Sequence, residues 1–276
     1  YNNLMKKKRI IPVILYKDGY VVQSKNFKDY QNLGDPFTII ERLSNWMSDE
    51  IIYLDISKNK NFSLQREDLK EKHKFKDYFE LMNFVSKKLI CPITYGGSIN
   101  SLKDIEEYLR NGADKISINT AAIDNKKLIN EASKEFGSQC IVVSIDYKKI
   151  NDNHRVVYRG DKVLELNLFD WMSNCINEGC GEIFINSIDL DGSKKGFDNA
   201  LIKTVSERFK IPLIACGGAG DASHFYETFT ETNIEALAAA NLFNHIEHGD
   251  YIVKKELSLK NLNVRKPSFF DPKDLD

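Results

Sequence analysis

The sequence predicts an α/β fold, a single (β/α)8 TIM barrel built from two half-barrel repeats. Short runs of β-branched and apolar residues alternate with longer segments of helical period, which is typical of βαβ units and a parallel sheet. Eight such runs occur in 276 residues, a length that one barrel of this class fills. The runs also repeat one another in order along the chain, which indicates the internal duplication.

The predicted strands share a short apolar run bounded by glycine, proline or charged residues. They are Arg9–Tyr16, Ile51–Ile56, Cys91–Tyr95, Lys115–Ile118, Cys140–Ile145, Glu182–Ser187, Pro212–Ala215 and Ala236–Ala239. The predicted helices between them are Pro36–Met47, Tyr78–Leu89, Leu102–Asn111, Lys126–Phe136, Leu168–Glu178, Ala200–Arg208 and His224–Thr232. Glycine follows several of these helices, as at Gly112, Gly137 and Gly179, and favours their termination.

The second half of the chain repeats the strands of the first half. Residues 13–17 align with 144–148, residues 50–56 with 182–188, and residues 92–97 with 212–218. Strand four and strand eight complete the doubling. We therefore expect one barrel over residues 5–265, with half-barrels at about 5–135 and 136–265, followed by a C-terminal extension over 266–276.

Composition excludes several classes of protein. Lys and Arg number 39 against 40 Asp and Glu, so no global positive field favours nucleic acid or an anionic membrane. No apolar run of membrane-spanning length and no signal peptide is evident, which predicts a cytoplasmic protein. The five cysteines never form Cys-x-x-Cys, which favours buried reduced thiols over a zinc site or disulfides. The five histidines show no metal-ligand spacing, so we expect no metal and no cofactor.

Two Gly-Gly pairs follow strands three and seven, at the barrel end where such enzymes keep their chemistry. Backbone N–H groups at such a pair can hold phosphate oxygens, although a simple turn is the alternative. Polar residues end the strand that follows each pair. The predicted first cup is Gly96, Gly97, Asn119 and Thr120, and the second is Gly217, Gly218 and Asn241. Two such cups across one barrel mouth suit an elongated bisphosphate.

Asp146 ends strand five, where a carboxylate points into the barrel mouth and can act as a general acid or base. A solvated loop aspartate is the alternative interpretation. The residue that the repeat places opposite it is Leu15, which can neither give nor take a proton.

Four charges stand at the other end of the predicted barrel. Glu50 and Glu182 each precede a strand, and Arg9 and Lys115 begin two others. Alternating signs around the barrel axis predict a salt-bridged ring, and a layer that only stabilises this face is the alternative.

The connection after strand two is longer than its repeat counterpart, and the excess is charged and partly aromatic. This segment, Asn61–Phe79, is either a docking element or lid, or a solvated helical excursion.

Several motifs together resemble the cyclase subunit of imidazole glycerol phosphate synthase, over residues 8–265. They are residues 8–12, 17–19, 34–36, 112–122, 136–139, 187–192 and 216–220. The resemblance implies a (β/α)8 barrel that takes ammonia from a glutaminase docked on its N-terminal face. It further implies that ammonia passes through the barrel and reacts with a ribulosyl bisphosphate-type substrate, giving imidazole glycerol phosphate and an aminoimidazole nucleotide.

Carried over residue by residue, the resemblance assigns Arg9, Glu50, Lys115 and Glu182 to the family's ammonia gate. The family's chemistry uses two aspartates, at the ends of strands one and five. Asp146 matches the second, whereas Leu15 stands at the first. Gln23 replaces the lysine of the mobile first loop, and Cys216 replaces a serine beside the second cup.

These departures resemble cyclase-like paralogues that act in bacterial surface-sugar amidation. Such a paralogue pairs with its own glutaminase and feeds ammonia to a sugar amidotransferase, which makes acetamidino sugars for lipopolysaccharide or flagellar glycans. A working cyclase of histidine biosynthesis is the alternative. A structural or regulatory partner without ammonia traffic is a third possibility, against which the complete ring argues.

Overall fold

A computed structural model of the chain describes residues 7–39, 48–57, 64, 69, 74–245 and 248–266. The strands within these residues are β1 (Arg9–Lys17), β2 (Tyr20–Lys25), β3 (Asp29–Gly34), β4 (Ile51–Asp55), β5 (Ile93–Gly96), β6 (Lys115–Ile118), β7 (Ile141–Ile150), β8 (Asn153–Tyr158), β9 (Lys162–Asn167), β10 (Glu182–Ser187), β11 (Leu213–Cys216) and β12 (Ala236–Ala239). The helices are α1 (Tyr78–Lys88), α2 (Leu102–Arg110), α3 (Thr120–Asp124), α4 (Lys127–Phe136), α5 (Leu168–Asn177), α6 (Asn199–Arg208), α7 (Ala222–Glu231), α8 (Asn241–His245) and α9 (Gly249–Leu259).

Eight parallel strands close into a barrel. Their order around the barrel is β1, β4, β5, β6, β7, β10, β11 and β12. The ring closes where β12 pairs with β1 in parallel register, Arg9 lying opposite Ala236. Helices follow the strands in the sequence, as the alternating pattern predicts. The prediction of a single (β/α)8 barrel is confirmed.

The predicted strands agree with the observed ones to within two residues at most ends. The exception is the fifth barrel strand, β7, which runs on to Ile150. Residues 36–39 are helical, as predicted, but 40–47 lie outside the described residues. Most of the Asn61–Phe79 segment also lies outside them, as do residues 5–6 and 267–276, so the predictions made for those positions are not tested.

Polar side chains set where the helices begin. The side chains of Asp77, Ser101, Asn167, Asp198 and Asp221 each accept a hydrogen bond from a backbone N–H in the first turn of the following helix. Such caps satisfy donors that a helix cannot satisfy itself. At α2 the cap is reciprocal, because the Asp104 side chain also accepts from the backbone of Ser101.

Two antiparallel hairpins were not predicted from the sequence. The β2–β3 hairpin extends β1, and the β8–β9 hairpin extends β7. The two parent strands are the first and fifth of the barrel, so the hairpins occupy the same place in each half. This match adds structural support to the repeat found in the sequence.

Alternation along the strands separates the barrel interior from the outer wall. On β1, Ile11, Val13 and Leu15 belong to the interior cluster, whereas Ile10 and Ile14 pack outward. The interior cluster comprises Ile11, Val13, Leu15, Val22, Ile52, Val142, Phe184, Ile214, Cys216, Ala236 and Ala238. Because successive side chains of a strand point to opposite faces, every second residue of a barrel strand faces the interior, including those near the ends of the strand.

Tyrosines dominate the outer wall of the first half. Tyr16, Tyr53 and Tyr95 come from β1, β4 and β5, and they meet Tyr78 of α1 and Tyr108 of α2. Ring centroids lie 5.3–6.4 Å apart, within the range of favourable aromatic pairs. Burial raises the pKa of Tyr53, Tyr78, Tyr95 and Tyr108 above the ordinary value, so these phenols stay neutral.

Candidate functional site

The four charges predicted at the N-terminal end of the barrel form a closed ring of ion pairs. Arg9 lies 2.6 Å from Glu50 and 2.5 Å from Glu182. Lys115 lies 2.9 Å from Glu50 and 2.8 Å from Glu182. Each carboxylate therefore bridges both cations, and each cation bridges both carboxylates. We refer to Arg9, Glu50, Lys115 and Glu182 as the charged ring.

Burial differs between the two signs of the charged ring. Glu50 and Glu182 are buried, whereas the side chains of Arg9 and Lys115 remain 28% and 21% exposed. Glu50 also accepts a hydrogen bond of 2.9 Å from the Thr94 hydroxyl. The two cations thus reach the outer surface of this face, and the carboxylates hold them from inside.

Charge pairing outweighs burial at this end of the barrel. Burial alone raises the pKa of Glu182, but Arg9 and Lys115 together lower it by more than burial raises it, so the net pKa lies below the ordinary value. Burial likewise lowers the pKa of Arg9, and Glu182 and Glu50 more than compensate. Glu182 and Arg9 are therefore both charged at neutral pH.

Asp146 lies at the opposite end, which we call the mouth. Its carboxylate is buried and accepts hydrogen bonds from the side-chain amides of Asn119, at 2.8 Å, and Asn186, at 3.5 Å. Burial raises its pKa to about 6, and the two amides only partly offset that effect. Such a carboxyl can take or give a proton near neutral pH, as a general acid or base requires.

Leu15 faces the interior at the same end of the barrel. It is nearly buried and belongs to the interior apolar cluster, together with Val22 and Cys216. The structure therefore places an apolar side chain at the mouth, at the end of β1, where the family's first aspartate would stand. Gln23, which replaces the loop lysine, lies on β2 and donates a hydrogen bond to Gln31 across the hairpin.

Asp191 is a second carboxylate near the mouth, and it was not among the predicted site residues. It lies in the loop after β10, and its negative charge contributes to the raised pKa of Asp146. Burial raises the pKa of Asp191 itself. The signal available in the sequence was its place in the Asp189–Gly192 segment after a barrel strand, but its electrostatic effect on Asp146 depends on the fold.

The first cup has the backbone that a Gly-Gly pair allows. Gly97 has φ of +110°, and a Cβ there would lie 2.0 Å from the carbonyl oxygen of Asp55, so only glycine fits. Thr120 begins α3 after the adjacent strand β6. Asn119 points its amide at Asp146 and thus connects this cup to the candidate acid or base.

The second cup is built in the same way. Gly218 has φ of +99°, and a Cβ there would lie 1.9 Å from the carbonyl oxygen of Gly196. Asn241, however, is engaged with the first hairpin: its side-chain amide donates to the Ser24 carbonyl at 2.6 Å and accepts from the Ser24 N–H at 3.3 Å.

Asp191 holds the same part of the hairpin. Its carboxylate accepts from the Ser24 hydroxyl at 2.6 Å and from the Phe27 N–H at 3.2 Å. The hairpin that follows β1 is thereby fastened to the loop after β10 and to the start of α8, both in the second half of the chain. The two predicted cups and Asp146 thus lie at one end, and the charged ring lies at the other.

Metal-binding clusters and membrane-spanning helices were also sought. No group of three or more His, Cys, Asp or Glu side chains suited to a metal occurs among the described residues. In the same part of the chain, no helix combines the length and apolar character needed to cross a membrane. All five cysteines are free thiols.

Comparison with known proteins identifies the family. The pattern of the histidine biosynthesis protein family matches residues 9–248. The imidazole glycerol phosphate synthase subunit HisF of Flavobacterium johnsoniae is 40% identical over 262 residues, which cover 95% of this chain and all of that protein. The chain belongs to the HisF family, the cyclase subunits of imidazole glycerol phosphate synthase. The family resemblance predicted from the sequence is confirmed.

Other HisF relatives match over similar lengths. HisF of Bacillus cereus is 40% identical over 263 residues, covering 95% of this chain and all of that protein. A Vibrio vulnificus protein, provisionally named imidazole glycerol phosphate synthase subunit hisF2, is 40% identical over 265 residues, which are 96% of this chain and 93% of that protein.

Proposed function

We propose that this HisF-family chain conducts ammonia from a partner glutaminase for the amidation of a surface-glycan sugar by a separate amidotransferase. The observation that carries the proposal is the coexistence of a complete charged ring at one end of the barrel with Leu15 at the other. The ring suits entry of ammonia, whereas cyclase chemistry in this family uses an acid and a base. A leucine supplies neither.

The barrel interior favours passage of neutral ammonia over ammonium. Between the ring and the mouth the interior carries an apolar cluster, with Val13, Ile52, Val142 and Phe184 among its members, next to the buried hydroxyls of Thr94 and Ser144. Moving an ion into such surroundings costs far more than moving a small neutral molecule. A conduit of this kind delivers NH3 without losing it to protonation in bulk water.

The two ends of the barrel suit two protein partners. Arg9 and Lys115 reach the outer surface of the N-terminal face, where a glutaminase would dock as a heterodimer. The amidotransferase would receive ammonia at the mouth, and the Asn61–Phe79 segment is a candidate contact for it. Because all five thiols are free, we place the complex in the reducing cytoplasm.

The mouth is proposed to bind a small phosphorylated ligand. The glycine backbones of both cups, with Thr120 and Asn241, are the candidate phosphate donors. Asp146, with its pKa raised to about 6 by burial, would exchange a proton with that ligand or with arriving ammonia.

A working cyclase of histidine biosynthesis is the second candidate. The names of the relatives favour it, and so does the proximity of a second carboxylate, Asp191, to Asp146. For this reaction Asp191 would have to act as the second general acid or base, since Leu15 at the end of β1 cannot.

The proposal is tested by reconstituting amidation from the chain, its glutaminase and the amidotransferase. Glu50→Gln removes one carboxylate of the ring, so we expect glutamine-dependent amidation to fall by about tenfold or more, while amidation from added ammonium persists. Glu106→Gln is the matched control, because Glu106 is an exposed carboxylate paired with Arg110 on α2.

Three outcomes distinguish the candidate functions. Equal loss with both nitrogen sources would mean that the ring only supports the fold. Formation of imidazole glycerol phosphate at the rate of a two-aspartate enzyme would favour histidine biosynthesis. Full amidation in the absence of the chain would reject ammonia transfer altogether.

A further inference from the structure

A second group of charged side chains lies next to the charged ring, where α9 packs against β1. Lys254 of α9 is 1% exposed, and Asp250, one turn earlier on the same helix, is fully buried. Ser48 and Asp49, which precede Glu50 in the sequence, meet this helix from the start of β4. Neither Lys254 nor Asp49 belongs to the ring or to the mouth.

Asp49 joins three parts of the fold through one carboxylate. Its Oδ1 accepts from the Lys254 ammonium at 2.9 Å, and its Oδ2 accepts from the backbone N–H of Ile10 at 3.1 Å. Asp49 directly precedes Glu50, and Ile10 directly follows Arg9. The same carboxylate therefore fixes the two backbone segments that carry the Arg9–Glu50 corner of the ring, where the side chains approach to 2.6 Å.

Lys254 keeps that carboxylate in place. A buried carboxylate without a cation loses the pairing that offsets its desolvation, so Asp49 would hold the Ile10 N–H less firmly. The ammonium of Lys254 neutralises Asp49 through an ion pair of 2.9 Å. Asp250 lies close enough to Lys254 for their charges to interact. Asp250→Asn therefore changes the charge beside Lys254 and leaves the Asp49 carboxylate itself unaltered.

We infer that Lys254, acting through Asp49, is a positioning residue that holds Arg9 and Glu50 in register for ammonia entry. The inference rests on the proposed function of the charged ring. The ion pair that connects Lys254 to this part of the barrel is the one with Asp49, at 2.9 Å. It acts on the backbone at Ile10 and Asp49, and the ring side chains follow because Arg9 directly precedes Ile10 and Glu50 directly follows Asp49.

The test measures the geometry of the ring separately from its function. Hydrogen exchange followed by NMR reports the Ile10 amide and the Arg9 guanidinium protons in the full-length chain. In Lys254→Met we expect both to exchange about tenfold faster, while amides of β10 are unchanged. Lys254→Arg should restore slow exchange, because it returns the cation. Asp250→Asn, the matched control, should leave both exchange rates as in the wild type.

Asp49→Asn is a second variant in case Lys254→Met does not fold. In this variant the Lys254 ammonium still has the carboxylate of Asp250 beside it as a counter-charge, so we expect the chain to fold. Asp49→Asn removes the charge of the carboxylate and should also speed exchange at Ile10 and Arg9. Unchanged exchange at both positions in the folded variants would overturn the inference. An equal rise at every core amide would overturn it too, because it would show general destabilisation.

Function is then read in the complex with its glutaminase and amidotransferase. We expect Lys254→Met to lower glutamine-dependent amidation several-fold relative to ammonium-dependent amidation. If exchange at Arg9 rises but that ratio does not change, the positioning role stands and the proposed gating function of the ring fails. If neither changes, the positioning role fails while the gating function is untouched.

Discussion

The two ends of the barrel use buried carboxylates in opposite ways. At the N-terminal end, Glu182 lies between two cations, and its pKa falls below the ordinary value. At the mouth, the hydrogen bonds that Asp146 accepts within the described part of the chain come from neutral amides, and burial raises its pKa to about 6. Both carboxylates are buried in the same barrel. The partner, rather than the depth of burial, therefore decides whether a carboxylate holds charge or exchanges protons.

This difference separates what each end can do. In the ring, each charged group is paired with two groups of opposite sign, so the charges hold one another in place. A carboxyl that titrates near neutrality suits proton transfer, but Leu15 leaves the end of β1 without a group that can share that task.

The largest expected effect concerns the cyclase reaction at the mouth. Incubated with the ribulosyl bisphosphate-type substrate and ammonium salts, the chain should form imidazole glycerol phosphate at least about 100-fold more slowly than a two-aspartate HisF, because a general base commonly contributes that much or more. Leu15→Asp should restore a trace of product, detected by chromatography. Turnover comparable to the two-aspartate enzyme would remove the contrast between the two ends.

A smaller effect is expected in the pH dependence of folding stability. The pKa of Asp146 rises from its ordinary value of 3.8 to about 6 in the folded chain, so its ionised form opposes folding. Relative to Asp146→Asn, wild-type stability should fall as the pH rises from about 4 to above 6, by up to about 3 kcal/mol. Denaturant unfolding across this pH range measures the difference.

Glu182→Gln is the matched control at the other end, and its pH dependence should have the opposite sign. The folded-state pKa of Glu182 lies below the ordinary 4.5, so its ionised form stabilises the fold above that pH. This advantage over Glu182→Gln is lost as the pH falls through the folded-state value. Curves of the same sign for both positions would contradict the comparison.

The smallest expected effect is in anion binding at the mouth. Crystals soaked in phosphate should show an anion at Gly97 with Thr120, and another at Gly218 with Asn241 once the hairpin contact to Ser24 is released. Thr120→Leu should weaken the first site by about tenfold, equivalent to one hydrogen bond, without affecting the second. Titration followed by 31P NMR measures the affinity. An absence of anion at both cups in the wild type would refute the phosphate assignment.

The barrel could be predicted from the sequence because each of its strands is a short apolar run that can be recognised locally. Lys115–Ile118, Glu182–Ser187 and Ala236–Ala239 have the predicted bounds, since each is a buried run between helical segments. The ring residues were predictable for the same reason, because the start of a parallel strand fixes which end of the barrel a residue occupies.

The hairpins and the fastening of the first hairpin were not predictable from local pattern. β3 is exposed along most of its length and has no alternation of buried and exposed residues. The contacts of Ser24 with Asp191 and Asn241 join positions 167 and 217 residues apart. The partners of Asp146 are likewise supplied by other strands, so its pKa was not accessible before the fold was known.

The tyrosine-rich wall also determines how the protein interacts with light. Its rings are packed against one another in asymmetric, largely buried surroundings, which makes them strong contributors to near-ultraviolet circular dichroism. Because burial raises the pKa of Tyr53, Tyr78, Tyr95 and Tyr108, these phenols should not shift their absorbance in mild alkali while the fold is intact. The first half of the barrel therefore carries an intrinsic optical reporter of its own packing.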